Sequence, residues 1–195
     1  MNYDNLSITT YLMGTKDGLP HMQEEFIGKN EFDIYNIYNS EEVDAEEWNT
    51  FRKIIEQCQD NKDDAVVICR NRGRFSNAYS KNFLFQSIIT CANFNTHLLL
   101  GGCADFYNLV PVTSTLFWVD RFMKGEFFVI FRSAFKTLMD VRLENDNDID
   151  TILSETLANK LLLCPMIYNT NEKSPAVSKI VLCKRVCNKY NLLDK

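Results

Sequence analysis

Histidine is nearly missing from this chain: two among 195 residues, His21 and His97, far apart in sequence. That leaves little for imidazole-based acid–base chemistry, which draws on partners nearby. There is no long basic tract, and the formal net charge is −5, so nothing prepares a nucleic-acid groove or an anionic membrane surface. No stretch reaches the 18 or more apolar residues that span a bilayer, and residues 1–14 lack the positive region and apolar core of a signal peptide. The chain reads as soluble and cytoplasmic. Internal repeats, low-complexity segments and linker-like runs are also missing, so one domain over residues 1–195 is expected.

Seven cysteines are present, an odd number, and Cys69, Cys91, Cys103 and Cys164 sit in apolar runs as small buried thiols do. Cys183 and Cys187 are four apart, yet no histidine or second cysteine pair completes a zinc site, so no structural metal is expected. Apolar residues at 46% and charged residues at 24% are ordinary globular values.

Strand and helix patterns alternate. Residues 6–13 read as a first strand closed by Gly14, and a helix over 19–27 opens near Pro20 and stops at Gly28. Residues 32–38 alternate as a second strand with one less buried face. Ser40, with Glu41, Glu42 and Asp44, starts a helix whose Trp48, Phe51, Ile55 and Cys58 share one stripe. Residues 65–69 then form an uninterrupted apolar run, the pattern of a strand buried on both faces. Ser80 caps a helix carrying Phe83, Leu84 and Ile88 inward, and a short strand over 97–100 is closed by Gly101 and Gly102. A paired glycine gives close backbone approach and suits a ligand-facing turn, though a plain tight loop uses the same residues.

Residues 105–124 lose both periods while keeping Phe106, Tyr107, Trp118 and Phe122. Such a segment fits an aromatic binding loop, and equally a part of the core. A strand over 127–131, a helix capped by Ser133, another capped by Asp148 or Asp150, and a last strand over 161–166 follow. Helical spacing returns in the tail at Val177, Ile180, Val186 and Tyr190. The fold class is α/β: a mostly parallel sheet flanked by helices.

In such sheets ligands bind beyond the carboxyl ends of the strands. There, after residues 65–69, stand Arg70, Asn71, Arg72, Gly73 and Arg74. Cys69 beside these cations has either a lowered pKa or a purely structural role.

The order VVICRNRGRF, YSKNFL, LLLGGC, VPVTSTLFWVDRF and FFVIFRSAFKTL resembles the small lipopolysaccharide-type glycosyltransferases related to family 25, over residues 8–178. The resemblance implies a Rossmann-like GT-A domain that binds a nucleotide-sugar donor and passes the sugar to a glycan-type acceptor. It implies Asp150 as a recurring acid, here the acceptor base, and Gly101, Gly102 and Trp118 as donor-side landmarks. The family's acidic metal motif falls on Arg70, Asn71 and Arg72, and a later acidic position is lost within residues 173–176. Guanidinium groups do not ligate the Mn²⁺ or Mg²⁺ that the family uses, so no metal is expected and the arginines would balance the donor diphosphate directly. The same losses fit an inactive glycosyltransferase-like domain that binds a ligand or protein partner without turnover.

Overall fold

The computed structural model describes residues 3, 5–38, 44–70, 73–142, 148–169, 175–176, 178–181 and 183. The expected Ser40 cap with Glu41 and Glu42, the pair Asn71 and Arg72, Lys173 and Ser174, and the tail at Val177, Val186, Cys187 and Tyr190 lie outside them.

The elements run β1 (Ile8–Gly14), α1 (Leu19–Glu25), β2 (Phe32–Tyr38), α2 (Asp44–Asn61), β3 (Ala65–Arg70), β4 (Arg74–Phe75) and α3 (Lys81–Asn93). Then come β5 (Leu98–Phe106), β6 (Leu109–Pro111), β7 (Leu116–Val119), β8 (Phe122–Phe131), α4 (Arg132–Met139), α5 (Ile149–Thr156), β9 (Lys160–Leu163) and β10 (Tyr168–Asn169). Eight strands form one sheet in the order β2-β1-β3-β8-β5-β9-β7-β6, and β10 pairs with β4 beside it. Within the sheet β7 and β8 run against the other six, so it is mostly parallel in direction, as expected.

Alternation along the central strands sorts their side chains into two cores. Val66 and Ile68 of β3 join Trp48, Phe51, Ile55, Phe135 and Leu153 from α2, α4 and α5. Val67 and Cys69 join Leu19, Met22, Leu84 and Cys91 from α1 and α3. Burial on both faces is why β3 reads as a continuous apolar run rather than an alternating one. Among the described residues no helix is long and apolar enough to cross a membrane.

Several boundaries differ from the sequence expectation. Gly101 and Gly102 do not close a strand; β5 runs through them to Phe106, with register shifts against β8 at Leu100/Gly102 and Gly102/Cys103. Two glycines read as a stop, but a bulge uses the same backbone freedom without ending the pairing. The segment over 105–124 is not an irregular loop. It holds β6, β7 and the ends of β5 and β8, strands too short for a period to emerge. Ser133 is inside α4, whose N-cap is Phe131, and its Oγ donates to the Thr96 carbonyl at 3.1 Å. The strand expected over 161–166 is β9, which stops at Leu163, and it is not the last, since β10 follows.

Candidate active site

β3 is the buried strand that carries Arg70 to the carboxyl end of the sheet, and its side chain stays 91% buried there. Its Nη2 lies 3.5 Å from Asp150 Oδ2 and its Nη1 3.7 Å from Glu47 Oε1. The guanidinium also sits over the Phe128 ring, 5.8 Å from its centroid. These contacts are long for hydrogen bonds, and Nε and Nη1 have no hydrogen-bond partner among the described residues. Coulomb attraction rather than fork geometry holds the cluster.

Asp148 settles the alternative left open at α5. Its Oδ1 accepts from the Thr151 N–H at 2.7 Å, making it the N-cap and leaving Asp150 to point inward from the first turn. The Gly125 N–H lies 3.2 Å from Asp150 Oδ1 and 3.3 Å from Oδ2, and the Lys124 N–H also donates to this carboxylate. Lys124 takes φ 49°, so two successive N–H groups form a small anion nest. Burial pushes the Asp150 carboxyl up to about 6, against the pull of Arg70 and the two N–H groups, with Asp148 adding to the rise. Asp150 opens onto a cleft of about 290 Å³ walled by Tyr107, Arg121, Lys124, Ser154 and Glu155. A carboxylate that titrates near neutrality at the edge of a cleft can take up a proton from a bound hydroxyl.

Arg70 and Asp150 are thus brought together, while the other expected residues that the structure describes are not. Gly101 is no ligand-facing turn. A Cβ there would stand 2.5 Å from Phe127 Cδ1 and 3.2 Å from Ile167 Cγ1, so its missing side chain serves packing. Gly102 is buried in the β5 irregularity. Trp118 donates from Nε1 to the Ala158 carbonyl at 3.1 Å and packs against the core of the α1 and α3 side, away from the cleft. Arg74 is exposed and pairs with Glu25 at 3.8 Å beside a separate pocket with His21 and Gly73. Asn71 and Arg72 lie outside the described residues. Cys69 is structural, since burial drives its thiol upward rather than activating it.

Gly101→Ala is therefore expected to destabilise the fold by about 1–3 kcal/mol through overpacking against the stiff Phe127 ring. The midpoint of urea unfolding reads this, and an unchanged midpoint would return Gly101 to a role at the surface of a site.

Two components of the cluster were missed. Glu47 reads in sequence as one more acid near the start of α2, and Gly125 as a lone glycine ahead of an apolar strand. Only the folded chain sets both against Asp150.

The Mn²⁺ or Mg²⁺ implied by the family-25 resemblance does not fit the described donor set. Where the family has a carboxylate stands Arg70, whose charge already lies between Glu47 and Asp150. Among the described residues no group of three or more His, Cys, Asp or Glu side chains is arranged to hold a metal ion.

The crystal structure of A197 from STIV is similar to this chain at TM-score 0.53 and 13% identity, covering 80% of this chain and 81% of that one. The likeness is one of fold. Apo UDP-glucose pyrophosphorylase is similar at TM-score 0.46 and 8% identity, covering 95% of this chain and 82% of that one. No family model matches the chain, and no curated protein does. The family-25 resemblance rests on the order of sequence landmarks.

Proposed function

We propose that this chain is a glycosyltransferase-like protein that binds a nucleotide-sugar donor at the carboxyl ends of the strands and passes the sugar to a glycan-type acceptor without a metal. The observation that carries this reading is Asp150: a buried carboxyl with its pKa near 6, fixed at the edge of a cleft in a Rossmann-like α/β fold. In the reaction, Asp150 accepts the proton of an acceptor hydroxyl, the oxygen bonds to the sugar carbon, and the nucleotide diphosphate departs with the bonding electrons. Arg70 is committed to Glu47 and Asp150, so it positions the base, and Arg121 and Lys124 on the cleft wall meet the leaving charge. We place the reaction in the cytoplasm; Cys58, Cys69, Cys91 and Cys103 are buried as thiols, in keeping with a reducing compartment.

A second reading is favoured by the number of groups that hold Asp150. A carboxylate engaged by Arg70 and two backbone N–H groups is a good structural anchor, and an inactive domain that binds a ligand or protein partner would keep it.

Thermal melting with a panel of nucleotide diphosphates and nucleotide sugars, in EDTA and in Mn²⁺, tests the proposal. A ligand at 100 times its Kd adds about 2.7 kcal/mol, so a donor that fits is expected to raise the melting temperature, and to do so in EDTA. Silence from every nucleotide with a well-folded sample would remove the donor site. A response without any sugar transfer would select the second reading.

A further inference from the structure

At the opposite end of the sheet, where β3 begins and β8 finishes, Gln59, Lys62, Arg132, Phe135 and Lys136 line a pocket of about 280 Å³. We propose that this pocket binds a phosphate group, as inorganic phosphate or as the monoester end of a small molecule, at a second site remote from Asp150.

Three of the five lining residues are cations and none is acidic, in a chain whose net charge is −5. Arg132 is half exposed and oriented by two contacts: its Nε donates to the Asp63 carbonyl at 2.8 Å and its Nη2 lies 3.2 Å from Oδ1 of the exposed Asp64, while among the described residues no hydrogen bond or ion pair engages Nη1. A planar guanidinium held this way is preorganised for an oxyanion. Phe135, 1% exposed, forms an apolar wall that strengthens charge interactions beside it.

Arg132 and Lys136 stand where one anion relieves an unfavourable charge placement, and Lys62 stands on a backbone that does not suit its side chain. Lys62 follows α2 at φ 61°, in a Schellman turn closed by Asp63 N–H to Cys58 O at 3.0 Å and Lys62 N–H to Gln59 O at 3.2 Å. Glycine is the residue suited to that backbone. The lysine charge complements the carbonyl end of α2, but its Cβ strains the turn. Arg132 opens α4, where the helix dipole is already positive, and the first turn has neither an acid nor a side-chain cap. Lys136 lies four residues on, on the same helix face, where like charges repel. The volume left around a bound phosphate accommodates an organic substituent.

The test compares sodium phosphate, glucose 6-phosphate and sodium chloride at matched ionic strength, by melting temperature and by amide chemical shifts. Phosphate is expected to raise the melting temperature above chloride and to shift the amides of residues 59–62 and 132–136. A matching response to glucose 6-phosphate identifies a monoester as a ligand, and a response to inorganic phosphate alone identifies the free anion. Lys62→Gly separates binding from folding: it should melt higher than the parent in chloride, because glycine suits φ 61°, and lose the phosphate response. No rise beyond chloride, or a rise that survives in the Lys62→Gly, Lys136→Ala variant, overturns the proposal. The Asp150 cleft shares no residue with this pocket, so neither failure bears on the reading of that cleft.

Discussion

Arg70→Ala is expected to destabilise the protein by about 3–5 kcal/mol at neutral pH, the cost of leaving buried charge without its partner. Arg70 neutralises two carboxylates at once, Glu47 and Asp150, and the Asp150 side chain is as deeply buried as its own. Its removal also opens space against Phe128, which is fully buried. Surface pairs would give a far smaller effect, about 0–1 kcal/mol. The exposed Arg121–Glu155 pair provides that control.

The deficit should depend on pH with a definite sign. The Asp150 carboxyl has its folded-state pKa raised to about 6 from an ordinary 3.8, so the folded state holds this proton more tightly than the unfolded chain. The stability contributed by this group is fully present below pH 4 and is lost as pH rises through 6, on the order of 3 kcal/mol in all. Without Arg70 the largest opposing pull is gone, the folded pKa rises further, and the loss extends to higher pH. The variant should therefore lie closest to the parent near pH 4 and furthest from it at pH 7 and above. Urea unfolding followed by circular dichroism across that range measures both. A deficit below about 1 kcal/mol, or one flat in pH, would mean that water reaches the cluster and screens it.

This cluster marks how far the sequence could be read. β3 was legible because a strand buried on both faces leaves a continuous apolar run, and the polar break after Cys69 located the end where Arg70 and Asp150 meet. The direction of β8 was not legible. Its apolar run suits a central strand of either sense, and only pairing with β3 on one side and β5 on the other reveals that it runs backwards. That reversal brings Lys124 and Gly125 to the carboxyl ends of the parallel strands and sets their N–H groups on Asp150. Gly101 misled for a related reason. Sequence marks where a Cβ is missing but not what fills the space, and here the filler is Phe127 rather than a ligand. Trp118 attracted a binding role as an aromatic residue in an apparently irregular stretch, while its indole N–H was needed by the Ala158 carbonyl.

Under the proposed function, Asp150→Asn is expected to lower sugar transfer by about 10²–10⁴-fold while leaving nucleotide-sugar binding nearly intact, the range over which a positioned general base contributes. Asparagine keeps the shape and can still accept from the Gly125 N–H, but it cannot take a proton from an acceptor hydroxyl. The transfer rate proposed for the parent should fall as pH drops through about 6, because the base is lost when Asp150 protonates, and the residual rate of the variant should lack that limb. The substitution removes a desolvated carboxylate but leaves the buried Arg70 guanidinium with Glu47 alone, so the variant is expected to be less stable than the parent at pH 7, and rates are compared at a temperature where both are folded by circular dichroism, so that lost activity is not ascribed to unfolding. Measured rates with a donor found by the melting screen decide the matter. Transfer retained within tenfold would assign the base to another group and leave Asp150 as the anchor that joins α5 to β8. Binding lost together with transfer would place Asp150 on the donor itself, where a carboxylate serves by accepting sugar hydroxyls rather than by moving a proton.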